Sequence, residues 1–443
     1  MGRKFIKAKK GIIAKGEKMN LSRVKIKNFK GIEEKELFFI PEFNLIKGEN
    51  GKGKTSILEA ISVGIGGFIA GIPEIATRHI SINEIRKEYK LVGDGSCECN
   101  YKVPVEIEID AKMKDSKYHW VRTRTSVNSS RSTIQPRDIV RLAENLASDE
   151  NSELPVLIYE AAGRVWEQKR QKVENPFGKK IVRTVGYMDT LLEASNIKML
   201  RNWCIKMEMN EFKFKKEISE YEAAKKAVAD FMQIINGDTD KKYKVFYDSQ
   251  LEELMFQNEE EILPISDLSA GYQSLIWMVF DIAYRMALLN PQKGKDITFT
   301  RGIVLIDEID MHLHPKWQWN IISALTSVFP NIQFIATTHA PILFASAKNV
   351  QVIDIDDKET EYSNSHYGID INESIQEFQQ TDEVPRCIKQ LSDKIYDAVD
   401  DGEFKNAELL LEELERALEE NHPLVTKFRT LLDLETMDWE DDQ

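Results

Sequence analysis

Eight consecutive residues, Gly48-Glu49-Asn50-Gly51-Lys52-Gly53-Lys54-Thr55, satisfy the spacing G-x-x-x-x-G-K-[ST] at every fixed position. That spacing does phosphate chemistry. Glycines let backbone N–H groups turn toward an anion, and a following helix adds the positive end of its dipole. Lys54 supplies a point charge for β and γ phosphates, and the Thr55 hydroxyl suits Mg2+. Gly48, Asn50, Gly51, Gly53, Lys54, Thr55 and Ser56 are therefore the candidate contacts for a nucleotide. A second element, Ile303-Val304-Leu305-Ile306-Asp307-Glu308, brings two carboxylates to the end of an apolar run. Asp307 suits Mg2+, directly or through water, and Glu308 suits a general base that polarises an attacking water. Alone, such a pair is common at sheet edges; its meaning comes from its company. Thirty-eight residues before Asp307, Leu268-Ser269-Ala270-Gly271-Tyr272-Gln273-Ser274 offers a hydroxyl and backbone amides where a helix begins. That is a second anion cradle. One nucleotide does not need two cradles from one chain, so the economical reading has the second cap the γ-phosphate held by a neighbouring copy. Thirty-two residues after Asp307, Thr337-Thr338-His339 closes another apolar run, where His339 would bond the γ-phosphate and hold water with Glu308.

These groups must be carried by particular elements. Phe43 to Lys47 predicts a short apolar strand that enters the glycine-rich turn, and Ser56 to Ile61 predicts a helix leaving it. The continuous β-branched runs Gly302–Asp307 and Ile332–Thr337 have the pattern of strands buried on both faces of a parallel sheet. Ligands sit at the carboxyl ends of such strands. Residues 21 to 28 alternate as a half-buried strand does, and segments within 103–125 predict antiparallel strands. Leu191 to Ile235 predicts helix. Arg386 to Leu434 predicts two or three amphipathic helices broken at Asp401-Gly402 and His422-Pro423. The expected domains are a basic extension at 1–18, a head at 19–380 with a helical lobe near 190–260, and an acidic helical region at 381–443.

Composition bounds the reading. The chain has 443 residues, 42% hydrophobic and 30% charged, which is enough for a core and too apolar for a disordered chain. Four cysteines are too few and too scattered for a disulfide framework, which points to a reduced, cytoplasmic setting. The longest apolar run, Ala60 to Pro73, is broken by four glycines and falls short of the ~20 residues of a membrane span. Neither a signal peptide nor a membrane partner is expected. The net charge is −13, with seven Lys/Arg against one Glu in residues 1–18, and 17 Asp/Glu against five Lys/Arg in residues 391–443. The acidic end suits a basic partner or simple solvation.

In this order, the four elements resemble the ATPase head of the ABC superfamily, in its branch with SMC-, RecF- and Rad-type repair proteins. The likeness covers roughly residues 21 to 356 and implies an α/β P-loop NTPase head with an inserted lobe. Gly48–Thr55 corresponds to Walker A, Leu268–Gln273 to the signature motif, Ile303–Glu308 to Walker B, Asp310–Pro315 to the D-loop and His339 to the switch histidine. Ile26-Lys27-Asn28-Phe29-Lys30-Gly31 is similar to that branch's first strand and turn, which implies a place for Lys30 near the base and phosphates. The resemblance adds Ser269, Gly271 and Gln273 as contacts to a partner's nucleotide. Leu154 to Trp166 resembles the strand and loop that sense γ-phosphate, but the expected Gln is absent and Glu160 or Arg164 stands in its place. With 215 positions between Lys54 and Ser269, the lobe is globular rather than a long coiled coil.

Departures narrow the branch. The run His312-Leu313-His314-Pro315 is similar to phage-defence ATPases, and its histidines are expected to be structural or to contact a partner copy. The tail, from Tyr367 through Glu373 and Arg386 to the leucine-rich acidic helices, resembles the ends of Septu ATPase subunits (PtuA) and retron-associated ATPases. That resemblance implies an ATPase, with ATP and Mg2+ as cofactors, that pairs head to tail, forms a higher oligomer and restrains an HNH-type nuclease subunit. No TOPRIM or HNH cluster is legible in the chain, so it is not expected to cut nucleic acid itself. The alternative is a RecF/SMC-like repair ATPase that clamps duplex DNA, with Lys112, Lys114 and Lys117 among its phosphate contacts and DNA or RNA as partner. A scaffold with structural ATP is a third reading.

Overall fold

The computed structural model describes residues 19–92, 97–113, 116–163, 182–192, 197–238, 241–248, 250–357, 359–369, 385–418 and 422–441. Residues 1–18, Lys114, Arg164 and Glu373 lie outside them, as does the side chain of Arg386. In chain order, β1 (Asn20–Phe29), β2 (Ile32–Phe38) and β3 (Phe43–Lys47) lead to helix α1 (Lys54–Ile69). Next come β4 (Lys87–Leu91), β5 (Cys97–Tyr101), β6 (Val105–Met113), β7 (Ser116–Arg124), β8 (Thr133–Gln135), α2 (Asp138–Ser148) and β9 (Val156–Glu160). Helices α3 (Ile197–Phe214) and α4 (Ser219–Asn236) precede β10 (Lys244–Asp248), β11 (Glu253–Gln257), β12 (Ile262–Pro264) and α5 (Ala270–Leu289). Then follow β13 (Gly302–Ile306), α6 (Pro315–Gln318), α7 (Ile321–Val328), β14 (Ile332–Thr337), α8 (Pro341–Ala345), β15 (Val350–Asp354) and β16 (Glu361–Asn364). The chain divides into two units, Met1–Gly368 and Ile369–Gln443.

The first unit is built on a six-stranded sheet in the order β16-β15-β3-β14-β13-β9. All neighbours run parallel except the edge pair β15 and β16. Every residue of β3, β9, β13 and β14 is buried, which explains their largely apolar sequences. Register decides what meets at the carboxyl edge. Ile306 lies opposite Ala336 and Glu160, and Thr337 lies opposite Ile46. The ends of β3, β14 and β13 therefore deliver the glycine loop, the Thr337-Thr338-His339 run and the Asp307-Glu308 pair side by side.

A five-stranded antiparallel sheet, β2-β1-β6-β7-β8, covers the other side of α1. The glycine-interrupted apolar run is this helix. It is buried from Ile57 to Ile69, and its glycines let the sheet come close. A Cβ on Gly64 would stand 2.5 Å from Ile109 Cδ1, and one on Gly67 would collide with the Trp120 indole. The indole N–H of Trp120 donates to the Gly64 carbonyl oxygen at 2.8 Å.

Between Walker B and the phosphate loop, the chain inserts the helical pair α3 and α4. The antiparallel sheet β10-β11-β12 then runs straight into the signature segment. The second unit is a helical bundle of α9 (Arg386–Asp400), α10 (Phe404–Leu418) and α11 (Pro423–Asp441). Its helices break where Asp401-Gly402 and His422-Pro423 predict. Leu411 and Leu414 enter the unit's own core with Ile395, Val425 and Phe428, and Leu410 and Leu418 pack on it. No helix among the described residues is long and apolar enough to cross a membrane.

Candidate functional site

The phosphate loop is shaped by its glycines. Gly51 (φ +85°) and Gly53 (φ +95°) occupy the left-handed region that disfavours side chains, and Gly53 caps α1. Gly48 is buried, with Asn50, Gly51 and Thr55 exposed and Ser56 half-buried at the start of α1. Lys54 is 7% exposed and folds back on its own loop, donating from Nζ to the carbonyl oxygens of Gly48 (2.6 Å) and Glu49 (3.0 Å). Desolvation holds its ammonium below the ordinary lysine value, while Asp356, Glu308, Asp307 and Asp310 pull the other way.

Opposite the loop, the buried Asp307 is gripped by two hydroxyls. Thr55 Oγ1 donates to Oδ2 at 2.9 Å and Thr337 Oγ1 donates to Oδ1 at 2.6 Å. The Asp307 amide donates to the Glu160 carbonyl oxygen at 2.8 Å across the β9–β13 edge. Glu308 is half-buried at φ +48°, a left-handed conformation for a side-chain-bearing residue, and its amide donates to Thr337 Oγ1 at 2.8 Å. Asp310 ties the next strand end to the same turn. Its Oδ1 accepts from Thr338 Oγ1 (2.6 Å) and from the His339 amide (3.4 Å), leaving the imidazole half-exposed. Lys54, Thr55, Asp307, Glu308 and His339, far apart in sequence, thus share one sheet edge.

Thr55 and Asp307 present a hydroxyl and a carboxylate, the hard oxygens Mg2+ accepts while keeping waters and substrate oxygens. The pair fits the ion. Among the described residues no group of three or more His, Cys, Asp or Glu is disposed to hold a metal. His312 and His314 are exposed, and His314 Nδ1 accepts from the Lys316 amide at 3.2 Å to cap α6.

The signature residues occupy the start of α5. Ser269 is the exposed N-cap and its side chain makes no capping bond. Gln273 turns back, donating from Nε2 to the carbonyl oxygens of Leu268 (2.7 Å) and Ser266 (2.9 Å). A Cβ on Gly271 would lie 2.7 Å from the His312 carbonyl oxygen, so that glycine lets the signature helix touch the His-Leu-His-Pro turn. Tyr272 and Trp317 meet edge to face at 4.7 Å, and Trp317 Nε1 donates to Asn236 Oδ1 (2.9 Å) at the end of α4. The turn after Walker B is therefore bolted to the signature helix and the helical lobe.

Lys30 lies in the β1–β2 turn, where its ammonium pairs with the buried Glu59 of α1. Glu160 ends β9, 6% exposed. One contributor escaped the sequence reading. Asp356 Oδ1 accepts from the Glu49 amide at 2.5 Å, its carbonyl oxygen accepts from Lys52 Nζ at 3.1 Å, and Ile355 abuts Gly48. The Asp354-Ile355-Asp356 run at the end of β15 thus braces the phosphate loop. Nothing in the D-x-D spacing signals this, because it depends on β15 lying beside β3.

A glycine loop between a buried parallel strand and α1, with an acidic pair one strand removed, defines an ABC-type P-loop ATPase head carrying an inserted lobe and a helical C-terminal region. Residues 23–267 match the family described as AAA domain, more than half the chain, and the chain belongs to that family. It is 39% identical over 145 residues to "Retron Vc95 probable ATPase" of Vibrio cholerae serotype O1 biovar El Tor, covering 33% of this chain and 26% of that one. It is 27% identical over 334 residues to "Septu protein PtuA" of Bacillus mycoides (strain KBAB4), covering 74% of this chain and 39% of the relative. The chain thus spans about two fifths or less of these relatives' lengths. Among solved structures, an SmcHead bound to the C-winged helix domain of ScpA aligns at TM-score 0.47 and 16% identity, covering 78% of this chain and 97% of that one. The retron and Septu ATPases are the relatives to which the motif departures and the acidic tail pointed.

Proposed function

We propose that this chain binds and hydrolyses ATP as a subunit of an anti-phage defence complex of Septu or retron type. Two heads pair head to tail on ATP and so control an associated HNH-type nuclease. The observation that carries the reading is the hydrogen-bonded chain Thr55–Asp307–Thr337–Glu308 beside Lys54. It sets a phosphate loop, a metal-suited carboxylate and a base-suited carboxylate against one another. Thr55 and Asp307 would hold Mg2+, which when bound neutralises charge on the phosphates. Lys54 would leave the Gly48 and Glu49 carbonyls for the β and γ phosphates. Glu308 takes a proton from water as the water oxygen bonds to the γ-phosphorus and the bond to the β–γ bridging oxygen breaks, releasing ADP and phosphate. His339, anchored through Asp310, holds the γ-phosphate and the water. Asn50, Gly51, Gly53 and Ser56 line the phosphates from the loop side.

Ser269, exposed and making no capping bond from its side chain, begins the second cradle at the N-terminus of α5, which suits a neighbouring copy's γ-phosphate. Gly271 and Gln273 shape that turn. Because nucleotide bridges two copies, ATP favours the closed pair by its differential affinity, and hydrolysis loosens it. A nuclease docked on the assembly is then gated without contact to ATP. The retron and Septu names of the relatives support the defence setting. The test is Glu308→Gln, which should bind ATP, lose hydrolysis by about two orders of magnitude or more and accumulate as closed pairs. Light scattering should show a larger particle with Mg-ATP than without it. The same particle size in both conditions would sink the gating reading.

A further inference from the structure

Thr337 is fully buried at the end of β14, in a run that is otherwise apolar apart from Gln333. A hydroxyl in such a place costs stability unless both its donor and acceptor capacities are used, and valine would fill the same volume without that demand. Here both are used, and on two different functional groups. The hydrogen of Oγ1 goes to Asp307 Oδ1 at 2.6 Å, and a lone pair accepts the Glu308 amide at 2.8 Å. The bond to the carboxylate is charge-assisted and so the stronger of the two. It faces the Thr55 bond across the carboxylate, so each Asp307 oxygen is assigned to one threonine. The bond from the Glu308 amide holds the second residue after the strand at φ +48°, which L-residues resist. Register makes the contact possible: Ala336 lies opposite Ile306, so Thr337 stands level with the first residue beyond β13.

We propose that Thr337 is a positioning residue that fixes the metal-suited carboxylate of Asp307 and the backbone of Glu308 through a single hydroxyl. The proposal rests on the ATPase reading above. Binding of the ion and placement of the base are coupled through it: rotation of Asp307 toward an incoming cation pulls on the atom that holds Glu308. Thr338 has a separate task, since its hydroxyl goes to Asp310.

The experiment measures ATP binding to the full chain by thermal shift, in EDTA and across a Mg2+ titration, alongside steady-state hydrolysis. Thr337→Val should leave ATP affinity in EDTA within about threefold, raise the Mg2+ concentration for half-maximal effect by about tenfold, and lower kcat by about ten- to hundredfold with KM little moved. Thr337→Ser, which restores the hydroxyl, should recover most of both losses. Thr337→Cys, with a weak donor of similar size, should follow the valine variant and serves if that variant does not fold. Thr338→Val should leave the Mg2+ midpoint in place. A Thr337→Val or Thr337→Cys protein with the wild-type Mg2+ midpoint and kcat overturns the proposal alone, as does a serine variant that behaves like valine. Wild-type protein that binds no ATP overturns the ATPase reading and the proposal together.

Discussion

Lys54 illustrates how a residue's environment sets its chemistry. Its ammonium rests on two loop carbonyls, and burial keeps its pKa below the ordinary lysine value. A bound triphosphate favours the charged form and moves that pKa up. Above the free protein's value, binding must therefore take up a proton, and affinity falls as pH climbs from the free to the bound value. ATP affinity should hold steady through neutral pH and weaken on the alkaline side, starting below the roughly 10.4 of a free lysine. Titration calorimetry at several pH values checks this. Lys54→Arg, whose guanidinium stays charged there, should flatten the profile; an equal slope in both proteins would assign the effect elsewhere. The loop itself was legible because each fixed position answers a local demand: positive φ at Gly51 and Gly53, charge at Lys54, a hydroxyl at Thr55. Asp356 was not, since its partner Glu49 lies 307 residues away and only the β3–β15 pairing joins them.

At the scale of elements, periodicity carried much of the fold. Strands buried on both faces announced themselves as largely apolar runs, and the breaks between the C-terminal helices fell at Asp401-Gly402 and His422-Pro423. Close approach was harder to foresee. The glycines of α1 argued against a membrane span, but not for a helix sandwiched between two sheets, because the partner surface comes from β6 and β7. Gly67→Ala tests that packing. Alanine would favour the isolated helix by about 1 kcal/mol. Its Cβ would meet the Trp120 indole, which is 1% exposed and cannot yield without losing its bond to Gly64. Overpacking of about 1–3 kcal/mol plus a lost hydrogen bond of about 1 kcal/mol outweighs the helical gain. Thermal denaturation should show a lower Tm, by about 1–2 °C for each net kcal/mol; a raised Tm would mean that the sheet moves freely over α1. Gly271 plays the matching part at the signature helix, where the obstacle is the backbone of His312.

For the whole molecule, the decisive question is whether one ATP is shared by two copies. In a two-fold pair the same patches serve both sides: each copy gives its phosphate loop to one site and its Ser269 turn to the other. This makes complementation quantitative. Lys54→Ala removes the loop function and leaves the Ser269 turn intact. Ser269→Arg fills the exposed cradle with a long cation and leaves the loop intact. Each variant alone should form no working site. Mixed in equal amounts, half the pairs are hybrids, and each hybrid has one site built from two unspoiled halves. About a quarter of the wild-type sites should therefore reappear, read as ATPase activity rising on mixing. Excess of either variant should lower the yield. If each chain completed its own site, mixing would give only the average of two inactive proteins.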